Sequence, residues 1–120
     1  MIQVAAQVRI LVAVEPVDFR CGIDGLARVC RERLREDPFQ GAVFVFRNRA
    51  RTALKLITFD GQGYWLCHKR LSAGRLRWWP AARGEPAAAL LAHELQVLLC
   101  AGDPTATQAP PAWKPLTMKP

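Results

Sequence analysis

Arg47, Arg49 and Arg51 stand at alternate positions directly after the apolar run "AVFVF", and Lys55, Lys69, Arg70, Arg75 and Arg77 follow within the next few turns of chain. Guanidinium groups are permanently charged, planar and able to grip a phosphate through two N–H bonds at once. Between residues 42 and 79 these eight cations face a single acid, Asp60, whereas the rest of the 120-residue chain balances nine basic against nine acidic residues. The whole formal charge of +7 therefore sits in one third of the sequence, which points to a polyanionic partner, nucleic acid first. Tyr64, Trp65, Trp78 and Trp79 are interleaved with the cations and could stack on bases where exposed, although aromatic residues are often core and at least two of the four are expected to be buried.

The residues that could support catalysis are fewer and less well arranged. No phosphate-binding glycine loop, H-E-x-x-H or G-x-S-x-G pattern occurs. His68 and His93 are isolated. Asp18, Asp24 and Asp60 could be imagined as the metal ligands of a small nuclease, but each falls where a turn or helix start favours Asp. Cys21, Cys30, Cys67 and Cys100 are scattered without a C-x-x-C pair, which argues against a zinc site or disulfide framework and fits a reducing cytoplasm. The reading is of a non-enzyme with no cofactor and no metal. The apolar N-terminal stretch lacks a basic leader and is interrupted by Gln3, Gln7 and Arg9, so it is expected to be a strand, and no segment is long enough for a membrane span.

The elements that must carry the cations follow from periodicity. "QVRILVAV", residues 7–14, is β-branched and stopped by Glu15 and Pro16. Ile23, Leu26, Ala27, Cys30 and Leu34 recur at helical spacing, predicting a helix over 24–36 with Asp24 as N-cap and Ile23, Leu26, Cys30 and Leu34 toward the sheet. "AVFVF" reads as a strand buried on both faces. "TALKLITF" and "YWLCHKRL" flank "DGQG", a hairpin signal that predicts Phe59 opposite Tyr64, Ile57 opposite Leu66 and Lys55 opposite His68. "RLRWWP" suggests a short edge strand, and Pro86 should open a second helix closed by Gly102. The order strand, helix, three strands, helix defines an α+β domain: a mostly antiparallel sheet of about four strands with both helices on one face and the other face free to bind. Residues 1–102 are expected to form this single domain, and residues 103–120, which hold five of the nine prolines, a flexible tail.

The succession "VDFRCGIDGLARV", "EDPFQGAVFVFRNRART" and "LKLITFDGQGYWLCHKRLSAGRLRWWP" resembles the small TnpB-type accessory protein of bacterial insertion sequences of the family numbered sixty-six. The likeness runs over roughly residues 8–80 and is carried by Asp18, Arg20, Gly22, Asp24, Gly25 and Leu26, then Asp37, Pro38, Gly41, Phe44, Val45, Phe46, Asn48, Arg49, Lys55, Asp60, Gly63, Lys69, Arg70, Leu71, Gly74, Trp79 and Pro80. Cys21 replaces a basic residue usual in the family, and residues 57–59 stand where it often has tryptophan. The resemblance implies a non-catalytic protein that acts in transposition beside a separate transposase and a second small accessory protein, unrelated to the large RNA-guided nucleases that share the TnpB name. Arg20, Arg47, Arg49, Arg51, Lys55, Lys69, Arg70, Arg75 and Arg77 are the expected DNA contacts. A protein adaptor that binds the transposase and touches DNA little is the competing reading, and a small metal-dependent nuclease a weaker one.

Overall fold

A computed structural model describes residues 8–105. β1 (Ile10–Ala13) is followed by α1 (Ile23–Glu32), a 3-10 turn (Pro38–Gln40), β2 (Val43–Arg47), β3 (Ala53–Phe59), β4 (Tyr64–Arg70), β5 (Ala87–Leu90) and α2 (Ala92–Leu99). The five strands form one sheet in the order β4-β3-β2-β1-β5. Among the described strands only β1 and β2 run parallel, and α1 supplies the crossover that a parallel pair requires; the other neighbours are antiparallel. The α+β class and the mostly antiparallel sheet are those the sequence predicts, with one strand more.

The two helices cover opposite faces, not one. Leu11, Ala13, Phe44, Phe46 and Ile57 pack with Leu26, Cys30 and Leu34 on the α1 side. Ile10, Val12, Val43, Val45, Leu54 and Leu56 pack with Leu95, Leu98, Leu76 and Trp79 on the α2 side. The cause lies in the strands themselves: "ILVA" and "VFVF" are apolar at both parities, so each face of the sheet centre needs its own cover. Among the described residues no broad face of the sheet centre is left open for binding.

The hairpin forms as expected. Asp60 N–H donates to the Gly63 carbonyl at 3.1 Å, Gly61 takes φ +98°, and Phe59, Ile57 and Lys55 lie opposite Tyr64, Leu66 and His68. Asp60 Oδ1 accepts the Gln62 and Gly63 N–H groups at 2.9 and 3.0 Å, and Oδ2 accepts the Trp65 indole N–H at 2.9 Å. These backbone amides hold its carboxyl below the usual carboxylate range.

α1 is shorter than predicted. Gly22, not Asp24, is its N-cap; Asp24 sits in the first turn, where a carboxylate favours the positive end of the helix dipole. Leu26, Cys30 and Leu34 face the sheet, whereas Ile23 stays half-buried outside that cluster. "RLRWWP" is no strand: Leu76 and Trp79 are buried from an irregular segment, and the Trp79 indole N–H donates to the Ala13 carbonyl at 2.8 Å. The alanines after Pro86 form β5 instead of helix, because the open edge of β1 offers them hydrogen bonds that outweigh local propensity. α2 therefore starts later, with Glu94 Oε1 accepting the Leu91 N–H at 2.8 Å. At its end Ala101 takes the left-handed conformation (φ +61°). Gly102 donates to Val97 O at 2.9 Å, and a Cβ on it would meet Val97 Cγ1 at 2.9 Å, so a glycine is needed there for contact rather than for capping φ. The stretch expected to be a flexible tail lies outside the described residues from 106 onward.

Candidate nucleic-acid interface

The opening three arginines divide into one support and two presented groups. Arg47 ends β2 half-buried. Its guanidinium lies over the Trp79 ring at 5.8 Å, and Nη1 donates to the carbonyls of Asn48 (3.1 Å) and Arg49 (3.4 Å). Burial, with Arg51 next in weight, pushes its pKa down from the ordinary arginine value. Arg47 thus braces the loop from below. Arg49 is exposed, and Arg51, at φ +62°, is partly exposed.

Asn48 closes that loop, a role the sequence reading missed. Its Oδ1 accepts the N–H groups of Thr52 (2.9 Å) and Ala53 (3.2 Å), and its Nδ2 donates to Thr52 Oγ1 at 2.9 Å. Asparagine between a strand and a short return is a local signal for such a side-chain staple. The outer carbonyls of the loop then recruit a distant segment. Arg51 O accepts Leu76 N–H at 2.7 Å, and Thr52 O accepts Leu71 N–H at 2.8 Å. Because Leu76 is buried, its neighbours Arg75 and Arg77 are turned to solvent beside Arg51. Arg70 pairs with Ala53 at the same end of the sheet. Arg49, Arg51, Arg70, Arg75 and Arg77 are therefore gathered at one end, while Asp60 lies in the hairpin at the other.

Three predicted contacts are engaged elsewhere. Lys55 is only 6% exposed, and its ammonium donates to the carbonyls of Phe19 (2.8 Å) and Cys21 (3.0 Å) beneath the Phe19 ring. It anchors the 17–22 loop and cannot reach a phosphate. Lys69 Nζ donates to Leu99 O at 2.7 Å, at the negative end of α2. Arg20 grips Asp18 through Nε (3.1 Å to both carboxylate oxygens) and Nη2 (2.7 Å), which holds the Asp18 carboxyl down at about 2. The carboxylate-bound state is favoured above the ordinary aspartate value and lost as pH falls toward about 2, so at neutral pH the Arg20 charge is locally offset. Arg20→Ala should raise the Asp18 pKa toward the ordinary aspartate value in a carbon-detected NMR titration; an unchanged Asp18 titration would show that the pair does not form in solution.

Between the loop around Asp18 and the loop around Arg49 lies an open cleft of about 470 Å³, lined by Pro16, Val17, Asp18, Phe19, Asn48, Arg49 and Ala50. Val17 N–H donates to Arg47 O at 3.0 Å and fixes the two loops side by side. None of the four aromatic residues offers an open ring face within the arginine cluster. Trp79 is buried, Trp78 and Tyr64 are half-buried, and Trp65, 54% exposed, projects beside the hairpin turn. Among the described residues no group of three or more His, Cys, Asp or Glu could hold a metal ion, and no helix is long and apolar enough to cross a membrane.

The fold and site define a small α+β domain that gathers a guanidinium cluster around a stapled loop. The family described as IS66 Orf2 like protein matches residues 8–109, and the chain belongs to that family, the accessory proteins of insertion-sequence transposition. Two relatives come from Sinorhizobium fredii, both named as uncharacterized. Protein y4hO is 43% identical over 84 residues, covering 70% of this chain and 72% of its own. Protein y4jC is 35% identical over 115 residues, covering 96% of this chain and 97% of its own. No solved structure matches.

Proposed function

We propose that this chain serves transposition as a DNA-binding accessory subunit, holding the phosphate backbone with its arginine end while a separate transposase performs the chemistry. The observation that carries this reading is the convergence of Arg49, Arg51, Arg70, Arg75 and Arg77 on one rigidly framed end of the sheet. A preformed frame lowers the ordering cost of contact, and phosphate contacts position a protein without reading sequence. Binding is thus weakly sequence dependent. The same reading treats residues 1–102 as the single accessory domain, with the transposase and a second small accessory protein of the element as its protein partners.

The test is fluorescence anisotropy with two labelled duplexes of unrelated sequence, titrated with salt. Five phosphate contacts predict similar affinities and a log-log salt slope of about −4 to −5. Absence of binding at low salt would overturn the reading, and capture of the transposase by the DNA-inactive protein would then support the adaptor, whose basic end meets an acidic protein surface.

A further inference from the structure

The two edges of the sheet are unlike. β5 has four residues and follows Pro86, whereas β4 has seven and pairs with β3 in unbroken register from Ala53 opposite Arg70 to Phe59 opposite Tyr64. It contains no proline and no bulge, and among the described residues no strand lies on its outer side. Long, straight edges of this kind are templates for further pairing unless they are blunted. The direction of its main-chain groups is fixed at both ends. Asp60 N–H bonds Gly63 O and Leu71 N–H bonds Thr52 O, so the odd-numbered residues of β4 bond inward to β3. Tyr64, Leu66, His68 and Arg70 therefore turn their N–H and C=O groups outward.

We propose that β4 pairs antiparallel with β4 of a second copy of this chain about a two-fold axis at Cys67, joining two sheets into one. This register sets Tyr64 opposite Arg70, Trp65 opposite Lys69 and Leu66 opposite His68 of the other copy, with the two Cys67 residues facing each other. It uses all seven residues, makes bonded pairs only of outward-facing ones, and forms about eight main-chain hydrogen bonds. The occupant follows from the sequence of the strand. Its first half is aromatic and aliphatic and its second half cationic, so a two-fold places each cation against an aromatic or aliphatic residue and never against another cation. A shift of the axis to His68 would set two histidines face to face and leave Tyr64 and Trp65 unpaired. The exposed Trp65 and Leu66 side chains, 54% and 38% accessible, are covered in the proposed pairing. A two-fold contact also closes on itself, whereas β4 joined to β5 of another copy is head-to-tail and stops only if it closes into a ring.

The test uses the whole chain without DNA, so its outcome is separate from that of the phosphate-binding reading. Sedimentation velocity should show a concentration-dependent dimer. Opposed cysteines at the non-bonded site place their Cα atoms about 4.5 Å apart, within disulfide range, so diamide should convert the dimer to a covalent one. That cross-link should vanish in Cys67→Ser and persist in Cys100→Ser, although Cys100 is the more exposed thiol. Trp65→Lys, which sets two ammonium groups opposite each other on both sides of the axis, should weaken the dimer at least about tenfold while the monomer still melts cooperatively. A protein that stays monomeric at every concentration, or a cross-link that survives Cys67→Ser, would overturn the proposal.

Discussion

Replacing Arg49, Arg51, Arg75 and Arg77 together by alanine is expected to reduce the magnitude of the salt slope by about 3 to 4 and to weaken duplex binding about 10³-fold near 0.1 M salt, since each lost phosphate contact removes about 0.9 counterion. The fold should survive. Three of the side chains are exposed and the fourth partly so, and the bonds that frame the loop from Arg51 are made by its main-chain N–H and C=O, which alanine retains. Nor does the left-handed φ of +62° at Arg51 change the balance, because arginine and alanine carry the same Cβ penalty there. Two controls separate charge from structure. The quadruple arginine-to-lysine variant should keep nearly the full slope, since counterion release counts charges. Arg47→Ala should do the reverse, losing stability through its packing on Trp79 while the slope changes little. A quadruple alanine variant that melts normally and binds with the wild-type slope would remove the phosphate role.

What could be read from the sequence was local. The hairpin register followed from "DGQG" because a short glycine turn fixes pairing by geometry alone, and the burial of "VFVF" on both faces followed from its lack of polar alternation. The same lack of alternation implies a cover on each face, so the opposed helices are encoded in the strands, whereas the order of elements alone does not say on which face each helix packs. β5 was not legible, since alanines favour a helix until the open edge of β1 is known. Nor was the grouping of the arginines. Arg75 and Arg77 reach Arg51 only because Leu76 N–H is spent on Arg51 O, a bond across 25 residues that no periodicity reports. Charge alone likewise could not sort Lys55 and Lys69 from the presented arginines, because their partners lie 34 to 36 and 30 residues away.

Lys55 offers the sharpest check on that sorting. Its stem crosses the α1 side of the sheet, and its ammonium satisfies the carbonyls of Phe19 and Cys21 while lying 4.9 Å from the centre of the Phe19 ring. Lys55→Ala removes two charge-assisted hydrogen bonds, leaves two carbonyls without their donor and opens a void beneath the loop, for an expected loss of about 3 kcal/mol. Lys55→Met keeps most of the stem and should cost about 2 kcal/mol, which isolates the ammonium. In both variants amide exchange should accelerate first over residues 17–22, because those residues lose their tie to β3. The DNA salt slope should stay at the wild-type value, since an ammonium committed to two carbonyls releases no counterion on binding. Lys55→Met unfolding at the wild-type urea midpoint would show that the carbonyls need no donor. A salt slope reduced by about 0.9 in a normally folded variant would instead place Lys55 on the DNA and return it to the contact set from which its burial removes it.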